Sequence, residues 1–545
     1  MLGSTPLREH STSDNLLLSI RAVNLEVFSE ATRTAKCFKS ATNPVPLSCS
    51  SAPQPQVKVT CPKSQPLSEM TVKSFDQVPG PKGAARLPFV GAAFLFKPFT
   101  KNVTARPDLL AINLHKQYGN IVRIELPFGT TVFLKDPKDM LTVIEKEGRT
   151  PERPNFPLIM AYFKSRNVKT LATLKGEDWR RLRMKAQPSF LRPGSADPYL
   201  PAIEKVADDL GNYVEKYGHE DFRDVIFLYI LECLFQFCFH RRLGALTATG
   251  LKENNLTATK VKELVTTLAK LPILPLYKLW RTKEYKIIES SMDHLLQISS
   301  VEVQRVIKSL RDEECRKSDG PHLIERLLEH SGMTEQEAVM TMSDFFFGGS
   351  DTTSKNLAMI FYHLAKNPDQ QKLLQQELAS LAADGNITSE VLDKMEFLKA
   401  CVKESMRLTY PLAPGPSRIL QEDLVLSGYH VPKGTMATLC NVAFLHDPDF
   451  VKTPLDYVPQ RWLRDKDRQK NETIPTVCFL PFGIGGRMCL GKRFAELIIY
   501  MSLIKVLQKY EMTLQAESLG AEIVYEIFPT INKPLKINFI PRSST

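Results

Sequence analysis

Paired cysteines are missing from this sequence: ten occur in 545 residues, none in a Cys-x-x-Cys arrangement. In a chain this long that argues for reduced structural thiols and against a disulfide framework. Long apolar runs are missing too. No segment reaches the roughly 18 consecutive apolar residues of a membrane span, and the nearest candidate anchor, Leu16–Ile20, is short and followed by Arg21. There is no basic cluster interleaved with aromatics and no nucleic-acid-binding module, so the net charge of +11 does not point to nucleic acid. An acidic protein partner or an anionic membrane surface accounts for it more simply. Acidic residues are absent between 31 and 68, where Arg33, Lys36, Lys39, Lys58 and Lys63 stand among many Ser, Thr and Pro. That is the composition of a mitochondrial transit segment or, more blandly, of a disordered tail. The first thirty residues, with Glu9, Asp14, Glu26 and Glu30, fit a transit segment less well.

What is present is globular: 43% hydrophobic and 24% charged residues, with no compositional shift after residue 80. The expected organisation is a leader over 1–77 and one large domain over 78–545, opened by the stiff Val78-Pro-Gly-Pro-Lys-Gly83. One stretch, Phe479–Glu496, carries chemistry. Gly483, Gly485 and Gly486 give a tight loop its backbone freedom, and the apolar run after Cys489 begins a helix. Helix N-termini and loop amides lower a thiol's pKa, which favours a thiolate able to ligate metal. A lone intracellular cysteine is more often buried and inert.

The spacing Phe482-x-x-Gly485-x-Arg487-x-Cys489-x-Gly491 resembles the haem-binding loop of the cytochrome P-450 family, and the resemblance extends from about Val78 onward. It implies a mainly α fold with a minor β part, haem b as cofactor, and Cys489 as the iron ligand. Phe482 would shield the sulfur, Gly485 and Gly491 would let backbone approach the porphyrin, and Arg487 would pair with a propionate. Trp179 and Arg183, four apart on a basic helical stretch, resemble the family's Trp-x-x-x-Arg propionate pair, and Arg418 resembles another propionate partner. Without the cysteine loop, a solvated basic helix face would explain the first pair better.

A helix is expected from about Thr334 to Asn367, opened by the capping box Thr334-x-x-Glu337 and closed at Asn367-Pro368. Gly348-Gly-Ser-Asp-Thr-Thr353 holds poor helix formers and predicts a local distortion in its middle. The segment resembles the family's oxygen-activating motif. Reduction of dioxygen consumes protons, and Asp351 beside Thr352 forms the acid–alcohol pair able to relay them. Glu404-x-x-Arg407 places an acid and a base on one helix face, and Asp456–Trp462 resembles the family's meander, implying a structural triad of Glu404, Arg407 and Arg461. The periodicity also predicts strands at 121–126 and 131–134, further short strands at 424–439 and 522–540, and helices over most of 199–317, broken at Leu271–Pro275.

The resemblance implies a monooxygenase that uses O2 and two electrons to hydroxylate an apolar substrate. Lys399 and Lys403 resemble the ferredoxin-docking lysines of mitochondrial relatives, with Lys492 and Arg493 widening the patch. This branch works with a ferredoxin and its reductase, peripherally on the matrix side of the inner membrane. Phe397–Glu404, Leu426–His430 and Gln460–Trp462 are similar to arthropod ecdysteroid hydroxylases, implying a sterol or ecdysteroid substrate. A mitochondrial xenobiotic hydroxylase is the alternative within the class, and a non-catalytic haem-thiolate gas or ligand sensor the alternative outside it. Asp351, Thr352 and the lysine pair argue against the sensor.

Overall fold

The computed structural model describes residues 72–542, apart from 88–90, 97–99, 102–103, 127–128, 156, 218–220, 247–254, 270–279, 311–322, 383–384 and 464–473. The transit-like stretch, the break at Leu271–Pro275 and the turn residues Pro127 and Phe128 lie outside the described residues. The backbone is already paired before Val78: Lys73 donates its N–H to Gly428 O at 3.0 Å and accepts from His430 N at 2.9 Å.

The longer helices are α1 (Pro107–Tyr118), α2 (Pro137–Glu145), α3 (Pro157–Ser165), α4 (Gly176–Leu191), α5 (Leu200–Tyr217) and α6 (Phe222–Phe239). They continue with α7 (Asn255–Ala269), α8 (Lys283–Leu310), α9 (Glu335–Lys366), α10 (Pro368–Leu381), α11 (Glu396–Leu408) and α12 (Lys492–Lys509). The strands are β1 (Ile121–Leu126), β2 (Gly129–Leu134), β3 (Ser417–Ile419), β4 (Leu424–Leu426), β5 (Tyr429–Val431), β6 (Met436–Leu439), β7 (Tyr510–Leu514), β8 (Ile523–Glu526), β9 (Phe528–Ile531) and β10 (Ile537–Pro541). This is the expected mainly helical fold with a minor β part.

Helix α9 is the axis of the helical part. Thr334 accepts from Glu337 N at 3.1 Å while the Glu337 carboxylate accepts from Thr334 N at 3.1 Å, so two otherwise orphaned donors are satisfied. Its 32 residues span roughly 48 Å at 1.5 Å per residue, and it packs most extensively on α6. Helix α6 is apolar on nearly every face and, past Arg223 and Asp224 in its first turn, almost entirely buried, as a helix without a polar stripe must be. The distortion predicted at Gly348–Thr353 does not interrupt α9, which stays helical from end to end. Its hydroxyls bond back to the helix's own carbonyls, Ser350 to Phe347 O at 3.1 Å and Thr352 to Gly348 O at 2.7 Å.

The larger sheet has the order β1-β2-β6-β3, with β2 and β6 parallel and the other pairs antiparallel. The parallel pairing sets 131–134 beside 436–439, joining two distant parts of the chain. Strand β3 thereby carries Arg418 to the sheet edge opposite β1. A second core forms around this sheet from Val122, Ile124, Leu134, Leu439 and Cys478.

Candidate active site

Of the described free cysteines, Cys233, Cys238, Cys401, Cys440 and Cys478 are buried, and Cys489 is exposed. Desolvation nonetheless dominates the Cys489 thiol and pushes its pKa up, against the Gly491 N–H and the nearby Arg183 and Arg153. Exposed yet desolvated, Cys489 faces an internal cleft. The helix N-terminus and the loop amide alone would lower it, the direction expected from sequence; in the free thiol burial outweighs them. Binding a metal cation deprotonates such a thiol outright.

The loop is built to present the sulfur. Cys489 N–H donates to Phe482 O at 2.7 Å and Met488 N–H to Gly485 O at 3.1 Å. Gly485 has φ +69°, and a Cβ there would run into the Glu147 carboxylate. A Cβ on Gly491 would lie 3.1 Å from the Phe345 ring of α9 and 4.0 Å from Cys489 Sγ. Gly485 is thus favoured by its own backbone as well as by any flat ligand, and Gly491 is tightly packed against α9. Phe482 is half-buried and packs on the helical core, with Lys492 Nζ 5.9 Å from its ring centroid.

Four arginines from separate elements gather around this loop. Arg183, on α4, donates through Nη2 to Met488 O at 2.7 Å, and its buried Nε has no partner. Arg487 donates through Nε to Pro151 O at 2.8 Å and lies 3.7 Å over the ring of Trp179. Arg418 pairs with Glu147 and donates to Ile484 O at 3.1 Å. Arg153, which no sequence motif marked, shares the signature of Cys489: exposed, yet with its pKa lowered, chiefly by desolvation and then by Arg418. Desolvation brings Arg183 down to about 10, and desolvation with the repulsion of Arg153, Arg418 and Arg183 brings Arg487 down to about 9. Crowded cations in a dry cleft call for carboxylate or phosphate.

On α9, Gly348 is exposed although the helix around it is buried, and a Cβ there would meet nothing within 4 Å. Thr352 follows one turn later, half-buried. Asp351 is buried and pairs with Lys355 Nζ at 3.2 Å; desolvation raises its pKa. One turn before Gly348, Asp344 accepts from Ala172 N at 3.0 Å, and desolvation raises its pKa to about 6. Among the described residues no group of three or more His, Cys, Asp and Glu could hold a metal ion. Iron at this site would therefore come with its own chelating group and take one ligand from the protein. Haem b fits on each count: a single thiolate, two carboxylates for the desolvated arginines, and open space along Gly348.

Away from the cleft, the structure brings Glu404, Arg407 and Arg461 together. Arg407 Nη2 lies 2.8 Å and Arg461 Nε 3.0 Å from Glu404 Oε1, all three side chains nearly or fully buried. Trp462 Nε1 joins them, donating to Glu404 Oε2 at 2.9 Å. On α12, Lys492 and Arg493 each lie 3.9 Å from Glu496, and Lys399 and Lys403 of α11 are near enough to lower the pKa of that carboxyl. Lys399 also pairs with Asp393 at 3.4 Å, and Lys403 Nζ lies 5.9 Å from the Trp462 ring centroid.

Comparison with known proteins agrees with this geometry. The model of the family described as "Cytochrome P450" matches residues 81–539. The chain is 31% identical over 476 residues to "Probable cytochrome P450 CYP44" of Caenorhabditis elegans, covering 83% of this chain and 91% of that protein. It is 28% identical over 533 residues to "Probable cytochrome P450 49a1" of Drosophila melanogaster, covering 92% and 89%. Over 497 residues it is 28% identical to "Probable cytochrome P450 12d1 distal, mitochondrial" of the same fly, covering 86% and 92%. The chain belongs to the cytochrome P-450 family. It is a haem-thiolate monooxygenase, and haem b is its cofactor.

Proposed function

We propose that this chain is a mitochondrial-type cytochrome P-450 that hydroxylates an apolar substrate, a sterol or ecdysteroid, with electrons from a ferredoxin and its reductase. The observation that carries the electron-transfer half is the gathering of four cations from α11 and α12 around Glu496, beside the ligand loop. The word "mitochondrial" in relatives' names and the acid-free basic stretch over 31–68 support the compartment. Among the described residues no helix is long and apolar enough to cross a membrane, which accords with peripheral contact on the matrix side.

When bound, haem supplies the reductive activation of dioxygen. The chain's part is to hold and to deliver. Cys489 ligates the iron, with Phe482 beside the sulfur and Gly485 and Gly491 allowing close approach. Trp179, Arg183, Arg418 and Arg487 seat the carboxylates, and we add Arg153 to them. Asp351 holds a proton and Thr352 passes it toward the cleft. Glu404, Arg407 and Arg461 brace the wall behind the ligand loop. Replacing Arg153 with Met removes one cation from the carboxylate site and should weaken haem retention by roughly tenfold, about 1.4 kcal/mol. Haem loss to apomyoglobin measures it, and a wild-type rate would remove Arg153 from the site.

The substrate half is tested by product analysis. The holoenzyme is incubated with mitochondrial ferredoxin, its reductase and a panel of sterols, ecdysteroids and unrelated apolar compounds. Hydroxylation confined to the unrelated compounds would overturn the sterol reading. The docking half is tested by charge reversal. Lys399→Glu with Lys403→Glu should weaken ferredoxin binding at low salt by roughly tenfold or more and flatten its salt dependence, with haem content unchanged. Unaltered affinity would remove the docking site.

A further inference from the structure

Lys355 stands between two carboxylates that belong to different parts of the fold. On one side is Asp351, one turn back on α9, with Oδ2 at 3.2 Å. On the other is Glu526, the last residue of β8, with Oε2 at 3.2 Å and its carbonyl oxygen at 3.3 Å from the same ammonium. The three groups form a graded path: the side chains of Asp351 and Lys355 are 12% and 16% exposed, and that of Glu526 is 60% exposed.

The hairpin that carries Glu526 is closed at its base, where Asn532 N–H donates to Glu522 O at 3.0 Å, and anchored beside its tip, where Tyr525 N–H donates to Ala105 O at 2.8 Å. Glu526 pairs in register with Phe528, so Ile527 alone makes the turn, at φ +76°. A β-branched residue there is strained, and the surrounding contacts must hold it. The Lys355 grip on Glu526 is one such contact. Arg223 of α6, anchored on Asp221 and on Ile531 O at 2.9 Å, also faces Glu526.

We propose that Lys355 and Glu526 are positioning residues for Asp351: the hairpin tip, by holding Glu526 against Lys355, sets how fully the lysine's charge is spent on Asp351, and so couples the seating of the hairpin to the acid's readiness to give up a proton. The transfer involves no redox change. Asp351 releases a proton toward Thr352 and regains one from solvent on the Glu526 side. This inference rests on the reading of Asp351 as the proton-holding acid. The charges facing Asp351 are Lys355, which lowers its pKa, and Glu526, which raises it.

The two partners therefore act with opposite signs, which a merely structural bridge does not predict. Losing Lys355 leaves a desolvated carboxyl without its cation, and the midpoint rises. Losing the Glu526 charge leaves Lys355 to Asp351 alone, and the midpoint falls. The test is a pH-difference infrared titration of the Asp351 carboxyl in the haem-loaded protein, with the band assigned by Asp351→Asn. Lys355→Met should move the midpoint up and Glu526→Gln should move it down, each by roughly one pH unit. Glu526 is at the surface, so its variant folds even if the Lys355 variant is poorly stable. In parallel, hydrogen peroxide released per electron is measured with the ferredoxin and reductase above. A raised peroxide yield in Asp351→Asn, with midpoints that do not move or that move the same way in both variants, overturns the inference. A wild-type peroxide yield in Asp351→Asn instead overturns the proton-relay reading beneath it, and the two failures are told apart by which measurement stays flat.

Discussion

Cys489→Ser is expected to lose the thiolate-specific carbon monoxide band entirely, and oxygenation with it. A neutral serine hydroxyl cannot donate charge to iron as an anionic sulfur does. The substitution is conservative for the loop, because the bonds that shape it run from Cys489 N–H to Phe482 O and from Met488 N–H to Gly485 O, and a serine oxygen can accept from the Gly491 N–H as the sulfur does. The arginines around the cleft are also untouched, so part of the haem should remain bound through its carboxylates. Measuring haem content beside the spectrum thus separates loss of the ligand from loss of the pocket. Cys440→Ser is the control: that thiol is fully buried in the sheet core, its pKa pushed well up by desolvation, and its replacement should leave the band intact. A Cys489→Ser protein that keeps the band would remove Cys489 as the ligand.

The parts of this site that could be read from sequence are those written in one local stretch. The ligand loop needs its glycines and its cysteine within ten residues, and the capping box of α9 needs Thr334 and Glu337 three apart. Arg153 and Glu147 escaped because they act across the fold. Glu147 meets Arg418, 271 positions away, and Arg153 has no motif of its own, only flanking prolines at 151 and 154. At Cys489 burial outweighs the local signal, and desolvation raises the thiol against the helix N-terminus. Helix α9 runs unbroken through Gly348–Thr353, whose poor helix formers include hydroxyls that bond back to its own carbonyls. The convergence of Lys399, Lys403, Lys492 and Arg493 on Glu496 was half legible. The helical spacing places Lys399 and Lys403 on one face, but only the packing of α11 and α12 brings them near the carboxyl that Lys492 and Arg493 also face.

Glu404→Ala is expected to be the most destabilising single change short of the ligand itself. The carboxylate is fully buried, and five donors fill it. Oε1 accepts from Arg407 Nη2 at 2.8 Å, Arg461 Nε at 3.0 Å and Val458 N at 3.0 Å; Oε2 accepts from Arg407 Nε at 2.9 Å and Trp462 Nε1 at 2.9 Å. Removing it leaves Arg407, itself fully buried, with only the carbonyls of Leu445, Pro454 and Asp456 against its charge. Breaking a buried pair by removing one partner costs about 3–5 kcal/mol, a large part of the roughly 5–15 kcal/mol that holds a domain folded. The loss reaches the active site through Trp462, whose ring lies 4.5 Å from that of Phe479 at the start of the ligand loop. Thermal unfolding and haem content should therefore fall together in Glu404→Ala. Glu404→Gln keeps the shape but turns an amide N–H toward a donor, and should fall between alanine and wild type. The double replacement Glu404→Leu with Arg407→Met removes both buried charges and should recover part of the stability that alanine loses. A Glu404→Ala protein with wild-type melting temperature and full haem would show that the wall behind the ligand loop stands without this network.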